Sequence, residues 1–364
     1  MFESFKKRVH EFQERHESAL EVLFFIGGFT FDAIMVSEID DPFSLLQQAV
    51  YLFVIAALIH FEILFRMQKW RPRNRMAKLW SFRNLLLHFL LGTLLNIYSL
   101  FYIKSASLLN SLIFLALMAG MILANELPMI KKSKVSFKVG LFAICLFSYL
   151  SIIFPLILGF VGWTPFGLSM ASTLCLFYLQ YKLLQKKLTD SRVLMQATLF
   201  PEISILIVFV FFYFMGWIPP VPLSVKQQGV YHNIEKKDGE YLLSSQPRTW
   251  KFWQTGDEDF QAEPGDKIYY FGQIYSPARF SDQIYVQWSF KDIHGNWKLS
   301  DRIPLKIVGG RKEGFRGYAV KSNYQPGSWR IQVETSLGQE ISRLYFDVSS
   351  VSPDPTRVFE VLRR

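Results

Sequence analysis

The sequence predicts a membrane α-helical bundle of about seven transmembrane helices followed by an all-β immunoglobulin-like sandwich domain. Three observations carry that expectation. Between Ser18 and Ile218 the apolar residues fall in seven blocks of about 16 to 23 residues, and no such block follows. A helix of that length crosses the roughly 30 Å of hydrocarbon in a bilayer. Beyond Ile218 the apolar pattern changes to period two, broken by frequent turn residues. Finally, 51% hydrophobic and 16% aromatic residues in a chain of 364 exceed what a simple soluble enzyme carries.

Residues 1–17 read as a cytoplasmic amphipathic segment of mixed charge. No small-x-small cleavage site follows the first apolar block, so that block is expected to stay in the mature protein. Spans are expected at 18–36, 43–65, 82–103, 108–127, 139–158, 165–183 and 203–218, which together make a seven-helix domain over 18–218. Lys6, Lys7, Arg8 and Arg15 precede the first span. Arg66, Lys69, Arg71, Arg73, Arg75, Lys78 and Arg83 lie between the second and third. Lys131, Lys132, Lys134 and Lys138 follow the fourth, and Lys182, Lys186, Lys187 and Arg192 follow the sixth. Against these stands Lys104 alone in the short loops of the other side. By the positive-inside rule the N-terminus is cytoplasmic and the C-terminal domain is exported. The excess of 40 Lys+Arg over 30 Asp+Glu is therefore a topology signal, and no nucleic-acid partner is expected. Trp163 and Trp217 fall at the outer interface and Trp70 and Trp80 at the inner one.

Trp217-Ile218-Pro219-Pro220-Val221-Pro222 opens a stiff exit linker over 219–227. The sandwich is expected over 228–348. Ile284, Val286, Trp288 and Phe290 share one strand face, and Trp329, Ile331 and Val333 share another, with Trp288 in the core. Turn signals recur at Pro264-Gly265-Asp266, His294-Gly295-Asn296, Val308-Gly309-Gly310, Pro326-Gly327 and Leu337-Gly338. Seven or eight strands at that spacing fit an antiparallel sandwich. The tail over 349–364, with Pro353 and Pro355, reads as a loose extension.

Gly327-Ser328-Trp329-Arg330-Ile331-Gln332-Val333, with Gly338, Phe346-Asp347-Val348, Val286-Gln287-Trp288 and Gly314-Phe315-Arg316, resembles a C-terminal domain of unknown function found in bacterial proteins. In that family the domain often follows an uncharacterised multispanning region. The resemblance implies bacterial origin and this architecture, hence an inner-membrane protein with a periplasmic or extracellular domain. It implies no catalytic residues.

No P-loop, dinucleotide fingerprint, His-Glu-x-x-His or Gly-x-Ser-x-Gly motif occurs. Cys145 and Cys175 both lie in apolar blocks and offer neither a disulfide framework nor a zinc site. No cofactor is expected. Titratable groups inside spans are costly and so are the default functional candidates. Here they form a candidate polar cluster of His60, Glu62, Asn84, His88, Glu126 and Glu202, with Asp32 isolated toward the other side. Asn84 and His88 share a helical face, whereas His60 and Glu62 point roughly 200° apart, against one metal site using both. The bland alternative is that the acids pair with interfacial Lys and Arg while the histidines brace helices.

Lys69, Arg71, Arg73 and Arg75 are candidate contacts for lipid headgroups. Trp250, Phe252 and Trp253 are a candidate aromatic surface for a glycan or partner protein. The expected function is binding or sensing of an envelope component (protein, glycan or lipid) by the exported domain, without catalysis. A transporter or ion-coupled protein regulated by that domain is the alternative, and an enzyme acting on lipid-linked substrates the third reading.

Overall fold

The computed structural model describes residues 39–126, 135–188, 191–247, 254–277, 280–308 and 314–364. The expected first span at 18–36 with Asp32, the 1–17 segment and the run Trp250, Phe252 and Trp253 lie outside the described residues.

Helix α1 (Pro42–Arg66) starts where the Asp41 carboxylate accepts the Ser44 N–H at 2.9 Å, with Pro42 in the first position. It is followed by α2 (Asn74–Ser81), α3 (Arg83–Lys104), α4 (Leu108–Glu126), α5 (Val135–Leu158), α6 (Trp163–Gln185), α7 (Ser191–Ala197) and α8 (Leu199–Phe214). The spans expected from 43–65 to 165–183 coincide with α1, α3, α4, α5 and α6 to within a few residues. The span expected at 203–218 is shifted. The helix already includes Pro201 and Glu202, because a proline in the first turn gives up no internal hydrogen bond. It ends at Gly216 (φ +68°), where Gly216 N–H donates to Tyr213 O and Trp217 N–H to Phe212 O, a Schellman closure.

Among the described residues four stretches, against the seven spans expected for the whole chain, are long and apolar enough to cross a membrane: α1, α3, α5 and the combined α7–α8 segment Ser191–Phe214. The apolar part of α4, Leu109–Asn125, is shorter. Thr164, Ser169, Thr173, Gln180 and Lys182 dilute α6. Helix α5 is the axis of the bundle and packs against α1, α3, α6 and α8. Outward-facing Phe53, Leu85, Phe89, Ile113, Phe200 and Ile207 are exposed. An apolar exterior on apolar helices of this length indicates a membrane protein.

Among the described residues eleven strands follow in three sheets. The first joins β1 (Ser224–Tyr231), β5 (Ile268–Tyr275) and β8 (Phe315–Lys321). The second joins β4 (Asp259–Ala262), β10 (Glu340–Ser350), β9 (Gly327–Thr335), β6 (Ser281–Lys291) and β7 (Trp297–Val308). The third joins β11 (Glu360–Arg363), β3 (Glu240–Ser245) and β2 (Asn233–Lys237). Alternation explains the layers. Val230 and Tyr270 point inward to the core formed with Ile284, Trp288, Ile331 and Phe346 of the five-stranded sheet. Their neighbours Tyr231 and Phe271 point outward into a second core with Ile234 and Leu243 of the small sheet. Trp288 is fully buried.

The arrangement departs from the expected seven or eight antiparallel strands in two sheets. There is a third layer, and β4 joins β10 in parallel. The tail is not loose: β10 runs to Ser350, β11 pairs with β3, and Arg364 exchanges two backbone hydrogen bonds with Tyr241. Pro353 and Pro355 shape the connection, but Leu362 beyond them packs against the outer core. The exit linker expected over 219–227 is shorter than that. Pro219 to Leu223 are buried, and β1 already begins at Ser224.

The β region sits on one end of the bundle. Val221 and Tyr275 join the helical core, while Val161 of the α5–α6 turn joins the β core. Tyr275 donates to Asp40 at 2.6 Å and Ser107 donates to Glu340. Gly162 caps α6 at φ +141°, and a Cβ there would lie 2.7 Å from Leu337 of the β9–β10 turn. Replacing Gly162 with Ala should therefore destabilise the protein by about 1–3 kcal/mol, from backbone strain plus overpacking. Leu337→Ala should restore part of the loss in the double variant. Thermal unfolding of the four-member cycle checks this, and additive effects would dismiss the contact.

Candidate functional site

Three members of the expected intramembrane cluster, Glu62, Asn84 and His88, make contacts between helices at the end of the bundle away from the β region. Glu62, 2% exposed, accepts from Arg66 Nε at 2.8 Å one turn later and from Arg83 Nε of α3. The Arg83 guanidinium also lies over the rings of Trp80 and Phe65, 5.0 and 5.2 Å from their centroids. Asn84 accepts from Lys138 Nζ at 2.8 Å, which ties α3 to α5. His88 Nδ1 meets Asn125 Oδ1 at 3.0 Å, and Asn125 Nδ2 donates to the His88 carbonyl at 3.1 Å, tying α3 to α4. Glu126 is the last residue of α4. These contacts join neighbouring helices, and Glu62, Arg66, Arg83, Asn84 and Lys138 lie near enough that the Lys138 ammonium interacts with the charges of the other three ionic groups, while His88 pairs with Asn125 one turn further along α3.

Two members stand apart. His60 faces away from Glu62 and lines an apolar cavity of about 530 Å³ between α1, α5 and α6, with Phe53, Phe142, Leu150 and Gln180. Glu202 is buried on α8, and its Oε2 has no hydrogen-bond partner among the described residues. In the basic loop Lys69, Arg71 and Arg73 are exposed and Arg75 lies in α2. Cys145 is buried and Cys175 exposed. No group of three or more His, Cys, Asp or Glu able to hold a metal occurs among the described residues.

At the opposite end, Glu340 is the centre of the seam between the two parts. It accepts from Ser107 of the α3–α4 turn, from Gln332 at 2.7 Å and from Arg343. Beside it runs a groove of about 490 Å³ between that turn and strands β1 and β10. Gln228 spans the gap behind the groove: its Nε2 donates to the Arg343 carbonyl and its Oε1 accepts from Tyr270 and Ser342.

A second polar cluster in the β region is assembled from four segments and was not visible in the spacing. His232 stacks on Phe260 at 3.9 Å, with Nε2 3.5 Å from Asp257 and Nδ1 3.7 Å from Asp266. Arg357, from the tail, donates to Asp266 at 2.7 Å and to the Gln261 carbonyl. Burial, seconded by the Arg357 charge, holds the His232 imidazole down to about 4. Burial pushes the Asp257 carboxyl up to about 7 against the Gln246 N–H that it accepts. For Asp266 burial is outweighed by hydrogen bonds from Arg357 and the Glu263 N–H, which keep its carboxyl below the usual range. The only sequence signal for this cluster was Asp266 in its turn motif. Through Arg357, which binds Asp266 and the Gln261 carbonyl, it clamps the tail onto the domain.

Residues 281–348 match the model of a family described as a protein of unknown function (DUF2914). The match spans β6 into β10 and includes every motif that carried the resemblance to a bacterial domain of unknown function. No curated protein matches the chain. Among solved structures, a β-glucosidase from Listeria innocua in complex with isofagomine is similar at 9% identity and a TM-score of 0.20, over 38% of this chain and 17% of that one. The alkylpurine DNA glycosylase AlkC of Pseudomonas fluorescens, bound to DNA containing an abasic site analog, aligns over 86% of this chain and 99% of that one, at 9% identity and a TM-score of 0.22. Likenesses this slight carry no argument about either protein's activity.

The His232 cluster sets a pH test. A depressed histidine favours the fold above pH 6.5 and loses that contribution as pH falls toward 4. A raised aspartate favours the fold below 3.8 and loses its contribution as pH rises toward 7. Between about 4 and 6.5 the two slopes oppose each other, so this pair should leave stability nearly flat. His232→Gln should expose a decline with rising pH across that window, and Asp257→Asn a rise. Denaturant unfolding at half-unit pH steps measures both slopes, and equal slopes in the two variants would refute the assignment.

Proposed function

We propose that the protein is an integral membrane protein of the bacterial inner membrane whose exported β region binds or senses an envelope component, without catalysing a reaction. The observation that carries this reading is the division of polar chemistry. Three of the six residues of the candidate cluster, Glu62, Asn84 and His88, tie helices together as braces do, while the β region is docked over one end of the bundle by buried contacts. A large, rigidly mounted extramembrane domain suits contact with something outside the bilayer. The basic residues Arg66, Lys69, Arg71, Arg73 and Lys78 cluster at the opposite end, which supports an exported β region by the positive-inside rule. Its two facing sheets around Trp288 support kinship with immunoglobulin-like sandwiches, with the third sheet as an addition.

One observation favours a second reading, an ion-coupled transporter: the buried carboxylate of Glu202 with an unpartnered oxygen. Glu202→Gln would abolish pH-driven flux in vesicles if the bundle transports, and would leave envelope contacts intact if it does not. For the leading reading, a phosphatase fused after Arg364 should be active, and photocrosslinking from the β region in intact envelopes should capture a discrete partner. An inactive fusion, or crosslinks confined to the protein itself, would reject it.

A further inference from the structure

The groove beside Glu340 lies where α3 ends and α4 begins, at the end of the bundle that meets the β region. If these helices cross a bilayer, this is the depth at which hydrocarbon gives way to headgroups. Among the described lining residues are three cations, Lys104, Lys226 and Arg343, and no carboxylate. Arg343 is held in orientation by Glu340, a buried acid. Lys226 lies over the Tyr275 ring, 5.1 Å from its centroid, and Tyr275 is itself fixed to Asp40. Leu109, 65% exposed, gives the same groove an apolar wall that continues onto the outside of α4. A cationic pocket continuous with an apolar helix face suits a ligand with an anionic head and an apolar tail. The volume, about 490 Å³, is that of a small-molecule site.

Lys104 adds an independent argument. It is the lone basic residue in the short loops on its side, a location that the positive-inside bias disfavours, and it lines this groove.

We propose that the groove binds the phosphate-bearing headgroup of an anionic phospholipid, with Lys104 and Lys226 contacting the phosphate. The proposal rests on the reading above, that the β region engages an envelope component, and names that component's chemistry.

The test uses the full chain in nanodiscs of phosphatidylcholine containing phosphatidylglycerol, with retained lipids counted by native mass spectrometry after partial delipidation. Lys104 and Lys226 are both exposed, so Lys104→Gln/Lys226→Gln should fold normally, with circular dichroism as the check. The unmodified protein should retain one phosphatidylglycerol in preference to phosphatidylcholine. The double variant should lose roughly tenfold or more of that preference, as expected for two headgroup cations. A Lys69→Gln/Arg71→Gln/Arg73→Gln variant, altered at the other end, should keep it. Excess inorganic phosphate should not displace the lipid; if it does, the site takes a free anion and the proposal falls. Equal retention by the Lys104→Gln/Lys226→Gln variant also overturns it. Lipid loss in that variant combined with an inactive phosphatase fusion would reject only the exported-domain reading, whereas a captured partner without lipid preference would reject only the lipid site.

Discussion

A carboxylate removed from water needs partners, and at Glu340 these come from both halves of the molecule. Ser107 reaches it from the turn between two apolar helices, and Arg343 and Gln332 reach it from the five-stranded sheet. Taking the β region off the bundle would strip Glu340 of the Ser107 donor. The same separation would break the Tyr275–Asp40 contact and uncover Val161 and Val221, each of which completes the core of the other half. Orientation is thus set by polar contacts and adhesion by apolar ones. The close approach of Leu337 to Gly162 leaves little freedom to slide.

Inside the bundle, paired polar groups have a mechanical reading. Glu62 with Arg83, Asn84 with Lys138 and His88 with Asn125 each join α3 to a neighbour. In an apolar surrounding, packing alone discriminates weakly between rotations of a Leu- and Phe-rich helix, whereas a mispaired charge is costly. Such pairs fix which face of α3 meets which partner. Glu202 does not fit that pattern, and it is the residue on which a transport reading depends.

Helices were legible because length and apolarity act locally: five expected spans fall on observed helices with no tertiary information, and three of these, α1, α3 and α5, are long and apolar enough to cross a membrane. The last was displaced because Pro201 looks like a helix breaker yet is harmless in a first turn, because Glu202 interrupts the hydropathy but suits a helix N-terminus, and because Gly216 ends the helix earlier than hydropathy does. Alternation at Ile284–Phe290 and Trp329–Val333 likewise announced strands and Trp288 as core. What alternation cannot reveal is partnership. The parallel pairing of β4 with β10 joins Asp259 to Asp347, and the strand from Glu360 to Arg363 is masked by the prolines ahead of it. The His232 cluster draws on Asp257, Asp266 and Arg357, so no local window contains it. The candidate polar residues were visible as an inventory of costly side chains, but which of them meet depends on helix rotation, which periodicity leaves open.

The sheet order also dictates a schedule of assembly. Antiparallel helices joined by turns as short as Ser105–Ser107 close small loops and can pack soon after insertion. The β region cannot, because β1 waits for β5, and β4 for a strand some eighty residues later. Non-local pairing of this kind is slow, and until it is complete the strands present open edges. Ser107, Asp40 and Gly162 all precede in the chain the β residues that they meet, Glu340, Tyr275 and Leu337, so a bundle already packed would offer the strands an anchored end from which to pair.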